Sequence, residues 1–336
     1  LKKPDKPEVV VVTGASAGNG RAIVRAFAKR GAHIGLLARG HAGLEGARRD
    51  VEALGGKALV IPTDVSDYKQ VEAAAAKVEE TFGPIDIWVN DAMTSVFSPF
   101  KDMTAEDFRR VTEVTYLGYV HGTMVALKHM RPRNLGHIIQ IGSDVAYRAI
   151  PLQSAYSGAK HAILGFTDSV RTELIHYNSK IRISMIQIPG VNTPQFSWCK
   201  SNLPDFPQPV PPIYEPEVVA EAATYIADHY RRELFVSWMS IAVIQLNKFF
   251  PAFADWYLGK TGFKSQMTNK PTSPNRPDNL YHPVDKDRDY GARGVFSDRA
   301  HSSSSQLWLD PHPGLLALAG AALMSLVGFA LLRRKQ

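Results

Sequence analysis

Cysteine is almost absent, with Cys199 the single one in 336 residues. One thiol excludes a disulfide framework and suits a reducing compartment. Metal-ligand spacing is missing too. His121, His129, His137 and His161 form no HExxH-type pair, so no metal site is expected. No zinc-finger or RNA-recognition signature occurs, and the net charge of +7 is scattered along the chain. Arg333, Arg334 and Lys335 crowd the C-terminus, while Arg21, Arg25 and Lys29 form an i, i+4 row that reads as a solvated helix face. Nucleic acid is therefore not an expected partner. The opening LKKPDKPEVVVVTG has no long apolar run ahead of the first strand, so no signal peptide is expected. Internal repeats are lacking as well.

What is present is enough apolar sequence for a large core, 45% hydrophobic residues against 21% charged. Short β-branched runs alternate with amphipathic stretches. Strands are expected at 8–12, 32–38, 57–62, 85–90, 136–143 and 181–189, with a seventh at 232–238. Their near-continuous apolar character marks strands buried on both faces. Helical patterns fall near 19–30, 42–54, 67–82, 104–131, 152–178 and 215–230. Strands separated by helices of ten or more residues require right-handed crossovers. The expected fold is α/β, a Rossmann-type doubly wound parallel sheet of about seven strands with helices on both faces.

The first strand runs into TGASAGNGRAIVRAFAKRG. Glycines at 14, 18 and 20 sit where strand turns into helix, so bare backbone and orphan N–H groups can approach a pyrophosphate. Gly14, Ser16, Gly18, Asn19 and Gly20 are thus candidate cofactor contacts. The second strand ends in Ala38–Arg39 without the carboxylate that NAD sites place there. Arg39 instead offers a bidentate partner for a 2′-phosphate, which favours NADP(H).

Tyr156 and Lys160, in YSGAK, lie one helical turn apart. Ser143 ends an apolar strand thirteen residues before Tyr156. With TGASAGNG, TDV at 63–65, VNDA at 89–92, IGS at 141–143 and PGVNTP at 189–194, the chain resembles the short-chain dehydrogenases/reductases from residue 8 to about 240. The resemblance implies that Tyr156 is the acid/base. It also implies that Lys160 lowers the phenol's pKa, by roughly 1–3, and binds the nicotinamide ribose, and that Ser143 hydrogen-bonds the substrate oxygen. It further implies that Asp64 and Val65 line the adenine, Asn90 and Ala92 the ribose, and Pro189, Gly190 and Thr193 the nicotinamide amide. The family's Asn-Asn-Ala-Gly is NDAM here, with Asp91 and Met93. Asn19 replaces an apolar residue, and the PGVNT loop is one residue short. Thr115 stands where a relay asparagine is expected and can serve if the helix bends locally.

From 265 to 313 the sequence turns rich in Pro, Asp, Asn, Arg and Ser, as in an irregular or disordered linker. Residues 314–332 form an uncharged apolar run, about 28 Å long as a helix, which reads as a transmembrane helix followed by a basic tail at 333–336. The organisation expected is a catalytic domain at 1–264, this linker, and a single-pass C-terminal anchor with the catalytic domain facing the cytoplasm. The expected substrate is a small-molecule alcohol/carbonyl pair. Phe196, Trp198, Phe206 and Tyr214 are placed to form an apolar lid suited to a lipophilic one. A homo-oligomer stays open. Two rival readings remain: an NADPH-binding membrane-associated protein without turnover, suggested by NDAM and Thr115, and a soluble enzyme whose last apolar run is a core helix.

Overall fold

The computed structural model describes residues 6–273 and 275–309. Seven strands form one sheet: β1 (Val9–Thr13), β2 (His33–Ala38), β3 (Lys57–Pro62), β4 (Ile87–Asn90), β5 (His137–Ile141), β6 (Arg182–Gln187) and β7 (Glu233–Phe235). Their order is β3-β2-β1-β4-β5-β6-β7, every pair parallel. The direction of winding reverses between β1 and β4, which opens a crevice at their carboxyl ends.

The helices are α1 (Gly18–Ala28), α2 (His41–Ala53), α3 (Tyr68–Phe82), α4 (Ala105–Thr112), α5 (Gly118–Met130), α6 (Ser154–His176), α7 (Pro216–Asp228), α8 (Trp238–Phe249) and α9 (Pro251–Ser265). The run of four valines in β1 divides by the strand's period of two. Val10 and Val12 face Ile23, Phe27, Leu44 and Val219 of α1, α2 and α7. Val9 and Val11 face Val71, Val78, Val125 and Leu174 of α3, α5 and α6. Both faces are covered, so no polar stripe is needed. The helix expected at 104–131 is α4 and α5 joined through a widened π-helical turn at Glu113–Leu117.

The segment after Ser265 is irregular in backbone, but it packs onto the domain rather than trailing as a linker. Met267–Pro271 pairs antiparallel with Asp205–Pro207, and Ala300–His301 pairs parallel with Ile213–Tyr214. Between them, residues 279–291 form a strap across the end of β2 and the start of α1. The Arg39 guanidinium donates to the carbonyls of Asn279, Leu280 and Tyr281. Leu280 is wholly buried beside Val96 and Val111, and Gly18 N–H donates to the Gly291 carbonyl at 3.2 Å. A polar segment without a periodic apolar face stays ordered here because distant groups receive it. The run 314–332 and the tail 333–336 lie outside the described residues. Among the described residues no helix is long and apolar enough to cross a membrane.

Arg21 fastens the strap from below. It is 3% exposed. Its Nε meets Asp50 at 2.8 Å, and its Nη atoms meet Asp289 at 3.2 Å and the carbonyls of Ser16 and Gly43. Both carboxylates keep about a third of their exposure, so they regain some water when the cation is removed. Arg21→Ala should therefore cost about 2–4 kcal/mol, below the loss for a fully buried pair. A urea midpoint unchanged within error would show that the strap is held elsewhere.

Candidate active site

The glycine loop between β1 and α1 is shaped for a close approach. A Cβ on Gly20 would lie 2.2 Å from the Gly14 carbonyl oxygen, and Gly18 has φ +57°, a region open to glycine. Ala17 precedes α1 and gives it no side-chain cap, leaving the first amides for other acceptors. Gly18, as above, is bonded to Gly291. Gly20 N–H donates to the Asp91 carboxylate. The Asn19 Oδ1 is buried without a partner, an orphan acceptor at the mouth of the groove. The bare backbone of the turn fits the close approach of a dinucleotide pyrophosphate, while the Gly18 and Gly20 amides are engaged by Gly291 and Asp91 in this structure.

Gly14, Ser16, Gly18, Asn19, Arg39, Asp64, Val65, Ala92 and Thr193 line one groove. Ser143, Tyr156, Lys160, Pro189 and Gly190 line an adjoining cavity of about 470 Å³. Asn19, Asp91, Met93 and Thr193 belong to both walls. Gly20 lies beneath the loop.

Two expected site residues turn inward. Asn90 is fully buried and its Nδ2 donates to Gln140 Oε1 at 2.9 Å, while its Oδ1 accepts from Trp88 Nε1 at 2.8 Å. It ties β4 to β5 and does not line the groove. Thr115 sits in the π-helical turn, where its hydroxyl donates to the Thr94 carbonyl at 2.7 Å and accepts from the Thr94 N–H at 3.0 Å. The helix does bend locally, the condition under which the resemblance lets a threonine serve through its backbone carbonyl, and its side chain is engaged in that tie. The proposed lid is also redistributed. Phe196 reaches the cavity, Trp198 lines the nucleotide groove, and Phe206 packs on Phe296. Tyr214 packs beside His301.

Ser143 follows β5 in extended backbone, and a hydrogen bond joins its hydroxyl to the Tyr156 phenol. Lys160 is buried one turn along α6. Its Nζ donates to the Ile141 carbonyl at 2.7 Å and to the Tyr119 hydroxyl at 3.1 Å, and lies 5.6 Å from the centre of the Tyr156 ring. The ammonium thus addresses the end of β5 more closely than the phenol. Burial pushes the Tyr156 phenol up; the Ser143 hydrogen bond lowers it, and the carboxylates of Asp91 and Asp144 raise it further. Lys160 is not among the groups that shift the phenol in this arrangement. Burial pushes Lys160 down while Asp91 pulls it back, and burial pushes Asp91 up against that same ammonium.

Three participants escaped the sequence reading: Asp144, Tyr119 and the strap carboxylate Asp285. Asp144 carries a weak signal, its position directly after Ser143. It lines the cavity, accepts from the Ser240 hydroxyl at 2.7 Å through Oδ2, and leaves Oδ1 without a partner. Burial pushes its carboxyl from 3.8 up to about 7. The folded chain then binds this proton more tightly than the unfolded chain does. Stability falls as pH rises from about 4 to 7 and stays lower above that, by at most about 4 kcal/mol. Asp144→Asn should therefore melt with the parent at pH 4 and several degrees above it at pH 8. An equal gap at both pH values would mean that the carboxyl is already ionised and solvated.

A family model described as short chain dehydrogenase matches residues 8–202. The uncharacterized oxidoreductase YxnA of Bacillus subtilis (strain 168) is 33% identical over 278 residues, 82% of this chain and 78% of that protein. A 3-dehydrosphinganine reductase of Danio rerio is 35% identical over 193 residues, 56% of this chain, and the matched part spans 58% of that reductase. The alcohol dehydrogenase of the archaeon Thermococcus sibiricus, solved in complex with 5-hydroxy-NADP, aligns with a TM-score of 0.59 at 29% identity. It covers 68% of this chain and 96% of its own. The family match takes in the glycine loop, Ser143, Tyr156 and Lys160, while α7 to α9 and the strap lie beyond it. The chain belongs to the short-chain dehydrogenase family.

Proposed function

We propose that the chain is an NADP(H)-dependent oxidoreductase that reduces a lipophilic carbonyl to an alcohol with the set Ser143, Tyr156 and Lys160. One observation carries the reading: the groove that fits a dinucleotide opens directly into a cavity with this set along its wall. The cofactor is NADP(H), in keeping with Ala38–Arg39 at the end of β2 and with the NADP analogue named for the archaeal relative. Bound there, the nicotinamide supplies the hydrogen and electron pair that carbonyl reduction needs.

The chain's own residues handle the proton. Ser143 donates to the carbonyl oxygen and fixes its place beside Tyr156. A phenol pushed up by burial keeps its proton across neutral pH, so Tyr156 acts as the acid that protonates the developing alkoxide. Lys160, fixed by Ile141 and Tyr119, supplies positive charge beside a phenol that is losing its proton. Val145, Ile150, Phe196, Val210, Met239 and Leu258 line the rest of the cavity, favouring a long apolar substrate and excluding water. The sphinganine-related substrate named for the Danio rerio relative points the same way.

The apolar run 314–332 is proposed as a C-terminal membrane anchor with the catalytic domain facing the cytoplasm. NADPH oxidation by the full chain should be fastest with long-chain ketones or fatty aldehydes in a panel that also holds sterol and retinoid carbonyls. No turnover across the panel would reject the enzymatic reading. Digestion of the catalytic domain in sealed, right-side-out vesicles would reverse the orientation.

A further inference from the structure

The helices α8 and α9 form a hairpin with an unusual surface. Within them only Ser240, Ala254 and Gly262 are buried. Phe249 is 67% exposed, Phe250 62%, Phe253 50% and Trp256 59%. Phe253 stacks loosely on Trp256 and Tyr257, with ring centres 5.8 and 6.2 Å away, so these rings gather into one patch. A solvated surface has no use for such a cluster of large aromatics.

From this we infer that the α8–α9 hairpin docks on an anionic lipid bilayer and admits the lipophilic substrate from it. The two helices have 12 and 15 residues, about 18 and 22 Å long, too short for a ~30 Å hydrocarbon core. They can lie in the interface but cannot span it. Their charges suit that setting. Lys248, Lys260 and Lys264 are exposed, and the hairpin's one carboxylate, Asp255, is paired with Arg148 at 2.6 Å. Aromatic rings flanked by lysines match the boundary between acyl chains and negative headgroups.

Two further features select a bilayer over a second copy of the chain. First, the described fold ends at the root of the hairpin. Ser304 donates to the Val236 carbonyl, two residues before Trp238 opens α8, and the uncharged run at 314–332 follows within a few residues. Second, the same helices wall the substrate cavity through Met239, Val243, Tyr257 and Thr261, with Tyr257 shared between the aromatic patch and the cavity. Seating the aromatic patch in lipid would place that cavity's mouth against the acyl boundary. The portal rests on the function proposed above; the docking itself does not.

Cys199 is fully buried, so a thiol introduced by Phe253→Cys in the full chain can be labelled selectively with an environment-sensitive fluorophore. With phosphatidylcholine–phosphatidylserine vesicles, the emission should shift to the blue. Lipids bearing an acyl-chain nitroxide should quench it, and iodide quenching should fall at least threefold. The same label introduced by Glu80→Cys, an exposed site on α3, should show none of this. If position 253 stays as open to iodide as without vesicles, docking is overturned. Shielding that grows with protein concentration in the absence of lipid would assign the patch to a second copy and overturn it equally.

The portal has its own test. The double variant Phe249→Glu/Phe250→Glu replaces no cavity-lining residue and leaves the Phe253–Tyr257 contact intact. It should keep turnover of a water-soluble aldehyde within twofold and lose at least tenfold on a long-chain ketone presented in vesicles. Equal losses on both substrates would overturn the portal. Absent turnover of any carbonyl by the parent would reject the functional reading, and the lipid quenching, read without substrate, would still judge the docking.

Discussion

Tyr156→Phe is expected to lower the turnover number for carbonyl reduction by about 10²–10⁴-fold while leaving NADPH binding in place. The substitution removes one hydroxyl, which faces Ser143 in the cavity and is held above the ordinary phenol pKa by burial. Nothing in the fold depends on it, because α6 is held by Ala155, Ala159 and Ile163 on its buried face. Stopped-flow NADPH fluorescence separates the two effects: the binding amplitude should persist and the oxidation rate collapse. Turnover within about threefold of the parent would remove the phenol from the mechanism. The same elevation predicts direction. Reduction should run at neutral pH without penalty from phenol ionisation, whereas alcohol oxidation, which needs the phenolate, should climb toward alkaline pH.

The second large effect concerns Arg39. Its guanidinium lines the groove, where burial disfavours its charge and the carboxylates of Asp64 and Asp285 partly offset that. A charge-assisted contact to a 2′-phosphate is worth about 1.5–3 kcal/mol, so Arg39→Ala should weaken NADPH roughly ten- to hundredfold and leave NADH nearly unchanged. Asp285 supplies the opposing test. It is 7% exposed, its Oδ2 has no partner, and its carboxylate closes over Gly40 and Gly43. A carboxylate beside a phosphate dianion repels it, so Asp285→Asn should tighten NADPH by a few-fold. If Arg39→Ala weakened both cofactors equally, the residue would serve only to hold the strap carbonyls of 279–281.

The parallel sheet could be read from the chain because each of its signals is local. Four consecutive valines, a glycine turn and a helix-period pattern announce β1 and α1 without any knowledge of distant residues. Ser143, Tyr156 and Lys160 were legible for the same reason, their spacing being fixed by one strand end and one helix face. Asn90 was misplaced because its role depends on Gln140 and Trp88, partners brought together only by strand register. The strap gave no signal because its contacts join residues 241 and 268 positions apart, Arg39 with Leu280 and Arg21 with Asp289. Many of its acceptors are backbone carbonyls, which any sequence provides. The hairpin was missed because two short helices that are apolar on most sides show no stripe to mark a buried face.

The strap also orders events during synthesis. Arg39 leaves the ribosome some 241 residues before the carbonyl of Leu280 that it holds, an interval of roughly 12–50 s at usual elongation rates. The sheet and both its helical layers have been made by then, so the nascent domain passes through a stage in which β2 and α1 are folded and their rim is bare. Contacts this distant in sequence are slow to form. The Arg39 end of the groove is therefore finished only after the sheet and its helices, and a chain interrupted before residue 279 would carry a complete Ser143–Tyr156–Lys160 set beside an unfinished groove.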